Sequence, residues 1–155
     1  MKWVTRERPK IDRIACPWLI LRFIDPTAEI LYVPSVDVTR VGREQGAVPF
    51  DIPGVELTHD GPLCSFDAFL GKYGLEDPAL ARLAEIVRGA DTSRLDLAPQ
   101  AAGLYAISLG LSAVFADDQE LLRYGLVLYD ALYAWCGKLQ QETHGWPPAD
   151  YRAAS

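Results

Sequence analysis

Several stretches of this sequence gather side chains that bind metals, ionise or react. In "VELTHDGPLCSFD", His59, Asp60, Cys64 and Asp67 fall within nine residues. Imidazole, thiolate and carboxylate are the ligands of divalent first-row metals. Gly61 and Pro62 set a turn there, between an apolar run and a helical pattern, and such loops are where sites usually sit. The spacing of His59 and Cys64 matches no standard zinc motif, and no CxxC occurs, which excludes a zinc ribbon. In "VRGADTSRLDLAPQ", Arg88, Asp91, Arg94 and Asp96 follow one another across a helix end at Gly89. They either satisfy the free carbonyls of that end, or bring carboxylates to the same cavity as His59 and an arginine to an oxyanion.

Asp130 lies in "LVLYDALYAW", a run apolar enough to be buried on most faces. A carboxylate there needs an ion-pair partner, hydrogen bonds or a cation, because its burial alone costs several kcal/mol. Tyr129, Tyr133 and Trp135 are placed to line the same cavity. In "IDRIACPWLILRFID", Asp12 reads as a helix N-cap and Pro17 as a first-turn proline. Capping leaves Arg13, Cys16 and Trp18 unexplained. A helix start and a nearby guanidinium both lower a thiol pKa, which would make Cys16 a reactive thiolate. The alternative is that Cys16, Trp18 and Leu19 simply pack on a sheet. No Ser-His-Asp spacing, phosphate-cradling loop or dinucleotide fingerprint occurs, so no nucleotide cofactor is expected.

Taken together, these residues predict a polar pocket. His59, Cys64, Asp91 and Asp130 are its expected metal ligands, for a divalent ion such as Fe, Mn or Zn. Asp12, Arg13 and Cys16 are its expected catalytic groups, and Trp18, Arg88 and Trp135 its substrate contacts, with Arg13 and Arg88 touching a small anion. Metal-activated water or O₂ chemistry is one outcome. A sensing module that acts through a protein partner is another, and thiol or sulfur chemistry at Cys16 or Cys64 a third.

The elements that must position these residues change character near residue 64. Before it, "KWVTRER", "AEILYVP", "GAVPFDI" and "GVELTH" read as short strands. Helical patterns run over Arg13 to Ile24 and Val36 to Glu44. After it the chain is helical. Ser65 is a candidate cap for "SFDAFLGKYG", which Gly74 stops. Asp77 and Pro78 start "DPALARLAEIVRGAD", whose Leu80, Leu83, Ala84 and Val87 make a buried stripe. Two apolar helices follow, joined by a turn at Ala116 and Asp117, and the second is expected at the centre of the core. The fold class is α+β: a small N-terminal β-sheet with a covering helix, packed on a C-terminal helical subdomain.

At 155 residues the chain has the length of one domain, expected over 1–148 with a tail over 149–155. Half of its residues are hydrophobic and 23% are charged, so it is not a disordered chain. Its net charge of -6 disfavours direct nucleic-acid or anionic-membrane contact. The basic start "MKWVTRERPK" lacks the apolar core of a signal peptide, and no run of apolar residues is long enough to span a bilayer. A cytoplasmic protein with three reduced cysteines is expected, acting on a small anion or small molecule, as a homodimer or with a protein partner.

The blocks "KWVTRERPKIDRIACPWLILRFIDP", "VPFDIPGVELTHDGPLCSFDAFLGKYGL", "IVRGADTSRLDLAPQAAGL" and "YDALYAWC" resemble the C-terminal domain of bacterial chromate-resistance proteins of the ChrB type. The likeness runs from about Lys2 to Trp146. Asp12, Arg13, Cys16, Pro17, Trp18, His59, Gly61, Cys64, Phe66, Asp91 and Asp130 lie in the matching blocks. The resemblance implies a link to chromate. Longer relatives carry an N-terminal regulatory region and control a chromate-efflux operon, and others are joined to a rhodanese-like domain. This sequence shows neither portion, so DNA regulation by the chain alone is not expected.

Overall fold

The computed structural model describes residues 1–145. Its sheet has three parallel strands in the order β2-β1-β3. β1 (Lys2–Arg6) is central, flanked by β2 (Glu29–Val33), in register from Lys2 opposite Glu29 to Arg6 opposite Val33, and by β3 (Val48–Pro49). Parallel neighbours need crossovers. The first is α1 (Asp12–Leu19), which continues through a π-helical turn over Ile20–Ile24. The second is α2 (Val38–Gln45). Trp3, Val4 and Thr5 are all buried, as expected of a parallel strand covered on both faces. Alternation sends Val4 to a small cluster with Val38 and Val41 of α2, and Trp3 to the main core with Ile14, Trp18 and Phe69.

The helical part comprises α3 (Ser65–Tyr73), α4 (Pro78–Asp91), α5 (Ala101–Val114) and α6 (Asp118–Ala134), and α6 leads into a second π-helical turn over Trp135–Leu139. Asp77 caps α4 through the Ala79 amide at 2.8 Å, with Pro78 in the first turn. Gly74 ends α3 in the left-handed conformation. The Leu80, Leu83, Ala84 and Val87 stripe is buried. The architecture is α+β, as the sequence pattern implies.

Four local readings differ. "GVELTH" forms no strand: Asp51 and Gly54 take positive φ angles of 53° and 83°, Pro53 lies between them, and the Asp51 amide closes the loop on the Leu57 carbonyl at 2.8 Å. Asp12 is the first helical residue of α1 rather than its cap, a position taken by Ile11. Cys64, not Ser65, caps α3, because its amide and thiol both engage Asp67 three residues on. The most buried of the long helices is α4, not the last one. On α6 the buried residues are Leu121, Leu122, Gly125 and Tyr129, while Tyr124 and Val127 face outward. Among the described residues, no helix is long and apolar enough to cross a membrane. The tail over 149–155 lies outside the described residues.

Candidate functional site

In open parallel sheets, ligands bind beyond the carboxyl ends of the strands, where the strand order reverses. Here that point lies between β1 and β3. β1 ends at Arg6 and leads to Asp12 at the start of α1. β3 ends at Pro49 and leads to Asp51 and then the loop carrying His59. Ser65 opens α3, and Asp91 closes α4. These side chains meet. His59 Nε2 lies 2.8 Å from Asp91 Oδ2, 3.5 Å from Asp12 Oδ2 and 3.5 Å from Asp51 Oδ1.

Ser65 ties two of the carboxylates together. Its amide donates to Asp12 Oδ2 at 2.7 Å and its hydroxyl to Asp51 Oδ1 at 2.7 Å. The Asp12 amide reaches Asp91 Oδ1 at 3.4 Å. Arg6 pairs with Asp51 Oδ2 at 2.8 Å, and Arg13 lies 3.4 Å from the same oxygen. Asp12 is 1% exposed, and its Oδ1 is buried without a hydrogen-bond partner. A buried carboxylate oxygen left unpaired is costly. Just before it, Ile11 takes φ 43° and ψ -99°. A β-branched residue rarely adopts that conformation, and its strain, roughly 1–3 kcal/mol, must be offset by surrounding contacts.

Burial and mutual repulsion disfavour three ionised carboxylates at one point. Desolvation chiefly, then the Asp12 and Asp51 charges, raise Asp91 to about 7. Burial also raises Asp12. His59 moves the other way in charge: its interaction with Asp12, and then the Asp12, Asp91 and Asp51 charges, raise it to about 9 against some desolvation. Without a metal, the imidazole is therefore a cation at neutral pH and serves as counter-ion to the acids.

Asp12, His59 and Asp91 each present one ligand atom, and these atoms lie within 4.8 Å of one another. Bonds of about 2.1 Å at tetrahedral angles place ligand atoms about 3.4 Å apart. The 2.8 and 3.5 Å separations at His59 bracket that value. One imidazole with two or three carboxylates is a hard-to-borderline donor set, suited to Mn, Fe or Zn. Beside it opens a cleft of about 400 Å³ lined by Arg6, Asp51, Ile52, Pro53, Gly54, Thr58 and His59.

The other expected site residues lie elsewhere or are otherwise engaged. Cys64 is buried, bonded to Asp67, and its thiol is pushed far up by desolvation and the Asp12 charge. Cys16 is buried and raised for the same reasons, which opposes the thiolate that its helix position and Arg13 suggested. Arg88 is clamped by both oxygens of Asp67 at 2.9 and 2.6 Å, so its fork is occupied. Arg13 donates to the Arg6 and Glu7 carbonyls. Asp130 is half-exposed and held by Arg22 at 2.9 and 2.8 Å and by the Trp18 indole at 2.7 Å. That pairing depresses its pKa, Arg22 first. Trp135 lines a groove between α5 and α6.

Asp51, Arg6 and Ser65 are the site members that sequence reasoning missed. An aspartate directly after an apolar run, in "VPFDI", is the signal that could have found the first. Arg6 and Ser65 carry none.

A family model described as ChrB, C-terminal domain, matches residues 3–136. Protein ChrB of Cupriavidus metallidurans is 38% identical over 134 residues, covering 85% of this chain and 40% of that protein. The chain thus spans about two fifths of the curated relative's length. No solved structure matches.

Proposed function

The chain belongs to the ChrB C-terminal domain family, and on that premise we propose that it is a chromate-resistance domain built around a divalent metal centre. Asp12, His59 and Asp91 hold the ion, Mn, Fe or Zn, and Asp51 stands beside it at the mouth of the cleft. The observation that carries this reading is the convergence of Asp12 Oδ2, on a fully buried side chain, and Asp91 Oδ2 on one imidazole nitrogen. When bound, such an ion supplies Lewis acidity or a redox centre. The chain's own part is to exclude water on the Asp12 side, orient the acids through Ser65, and admit a small molecule past Arg6 and Thr58.

Direct binding of an oxyanion at these residues is disfavoured. Three carboxylates would face it, while Arg6 and Arg13 are turned to Asp51 and Arg88 to Asp67. Chromate or another oxyanion would reach this centre through a cation.

The test is elemental analysis of protein produced with supplementary Mn, Fe and Zn, together with its His59→Ala, Asp91→Asn and Asp130→Asn variants. The expected result is one transition-metal ion per chain in the parent and in Asp130→Asn, and none in the other two. The reading fails if the parent carries no metal and none of the three ions raises its melting temperature. It fails equally if His59→Ala retains the ion.

A further inference from the structure

Arg6 and Arg13 share one carboxylate. Arg6 Nη2 donates to Asp51 Oδ2 at 2.8 Å, Arg13 Nε lies 3.4 Å from the same oxygen, and among the described residues neither guanidinium has a second carboxylate in ion-pair distance. Arg13 is otherwise turned to the backbone, donating to the Arg6 and Glu7 carbonyls. Arg6 is not. Its bond to Asp51 is the side chain's only hydrogen bond among the described residues, and its Nε is buried with no partner. A guanidinium presents five N–H donors, and buried ones are nearly always paired. This under-satisfied arginine lines the cleft beside His59, and its side chain is 38% exposed, within reach of a ligand there.

We infer that in the metal-loaded protein this cleft takes a small organic acid, which gives one donor atom to the ion and its carboxylate to Arg6. The inference rests on the metal centre proposed above. Charge selects an anion. With the imidazole neutral, the three carboxylates of Asp12, Asp51 and Asp91 stand against two guanidiniums and one divalent ion, which leaves a single positive charge among the groups in contact. A monoanion balances it, and the guanidinium fork matches the two oxygens of a carboxylate.

Spacing and shape select which anion. Asp51 bridges the imidazole nitrogen and the guanidinium, its Oδ1 3.5 Å from His59 Nε2 and its Oδ2 2.8 Å from Arg6. One carboxylate group thus spans the gap between the two anchoring points. A ligand reaches both only if its metal donor stands close to its own carboxylate, as a hydroxyl on the second or third carbon does. The rest of the wall includes Ile52, Pro53 and Gly54, around a space of about 400 Å³, at the small end of small-molecule sites. A tetrahedral oxyanion fills little of that space and offers no carbon to that wall, whereas a short acyl chain buries apolar surface against it.

Calorimetric titration of the 155-residue chain, loaded with whichever of Mn, Fe and Zn it retains by elemental analysis, tests this. The probes are lactate and 3-hydroxybutyrate. Methyl lactate, which lacks the free carboxylate, and butyrate, which lacks the second donor, are the controls, and sulfate and chromate the inorganic competitors. Saturable binding of at least one hydroxy acid is expected, with methyl lactate and butyrate weaker by about 10-fold or more. Arg6→Gln is expected to keep its ion and to bind that acid about 10-fold or more weakly, the size of a lost charge-assisted hydrogen bond. A chain that takes up no ion overturns the metal centre and this inference with it. A loaded chain that binds neither hydroxy acid, that binds the ester as tightly as the acid, or that holds sulfate or chromate more tightly than either acid overturns the inference alone. So does an Arg6→Gln variant of undiminished affinity, and if that variant fails to fold, the comparison of ester with acid decides.

Discussion

His59 Nε2 and Asp91 Oδ2 stand 2.8 Å apart and join the loop after β3 to the last residue of α4. Both groups hold protons more tightly in the folded chain, His59 moving from 6.5 to about 9 and Asp91 from 3.8 to about 7. A raised folded pKa contributes stability that is complete below the unfolded pKa and is lost as pH rises through the folded one. The Asp91 contribution therefore fades between about 4 and 7, and that of His59 between 6.5 and about 9.

The metal-free protein should accordingly melt at progressively lower temperature from pH 6.5 to 9.5. His59 is 41% exposed, so after solvent screening its share is on the order of 1 kcal/mol. Chelator-treated protein and its His59→Gln variant, melted across that range, provide the measurement. Parallel curves for the two would show that His59 gains no proton affinity from its neighbours. Because metal must displace the imidazole proton, apparent metal affinity should rise over the same window.

Asp12 should separate folding from metal binding. Asp12→Ala leaves the Ser65 amide without its buried acceptor, at a cost of about 2–4 kcal/mol in a denaturant titration. Asp12→Asn keeps an acceptor there and removes a buried charge, so it should fold with stability near that of the parent. It should nevertheless lose the metal, and the His59 pKa, followed by NMR, should drop below about 9. An Asn variant that binds metal as the parent does would remove Asp12 from the ligand set.

Gly125 marks where α6 crosses α1. A Cβ there would collide with Ile14 Cγ2. Gly125→Ala should cost about 1–3 kcal/mol by overpacking, despite alanine's better helix propensity. Adding Ile14→Ala should relieve the clash, so that the double variant is more stable than the sum of the two single changes implies. Additive losses would place the strain elsewhere.

The buried thiols of Cys16 and Cys64 should be inert. Both are buried, and desolvation and neighbouring carboxylates oppose their ionisation. Alkylation of the folded protein at pH 8, followed by peptide mass spectrometry, should label neither until denaturant is added. Rapid labelling of Cys16 in the folded state would restore a thiol mechanism.

The sequence by itself determined what depends on neighbours a few residues away. The Asp77 and Pro78 helix start, the Gly74 stop, the buried stripe of α4 and the α+β pattern are local signals, and the family blocks are legible without coordinates. His59 and Asp91 stood out by residue type. Only the tertiary structure decided their company. Asp130 looks buried because its sequence neighbours are apolar, yet α6 turns it toward Arg22 and solvent. Asp51 reads as part of a strand, yet its positive φ turns the chain there, and its partners Arg6, Arg13, His59 and Ser65 arrive from β1, α1, the loop that follows and α3. The site is made by the β2-β1-β3 order, which brings the ends of β1 and β3 side by side. Periodicity and capping act over a turn or two, whereas strand order is a balance of burial over the whole chain.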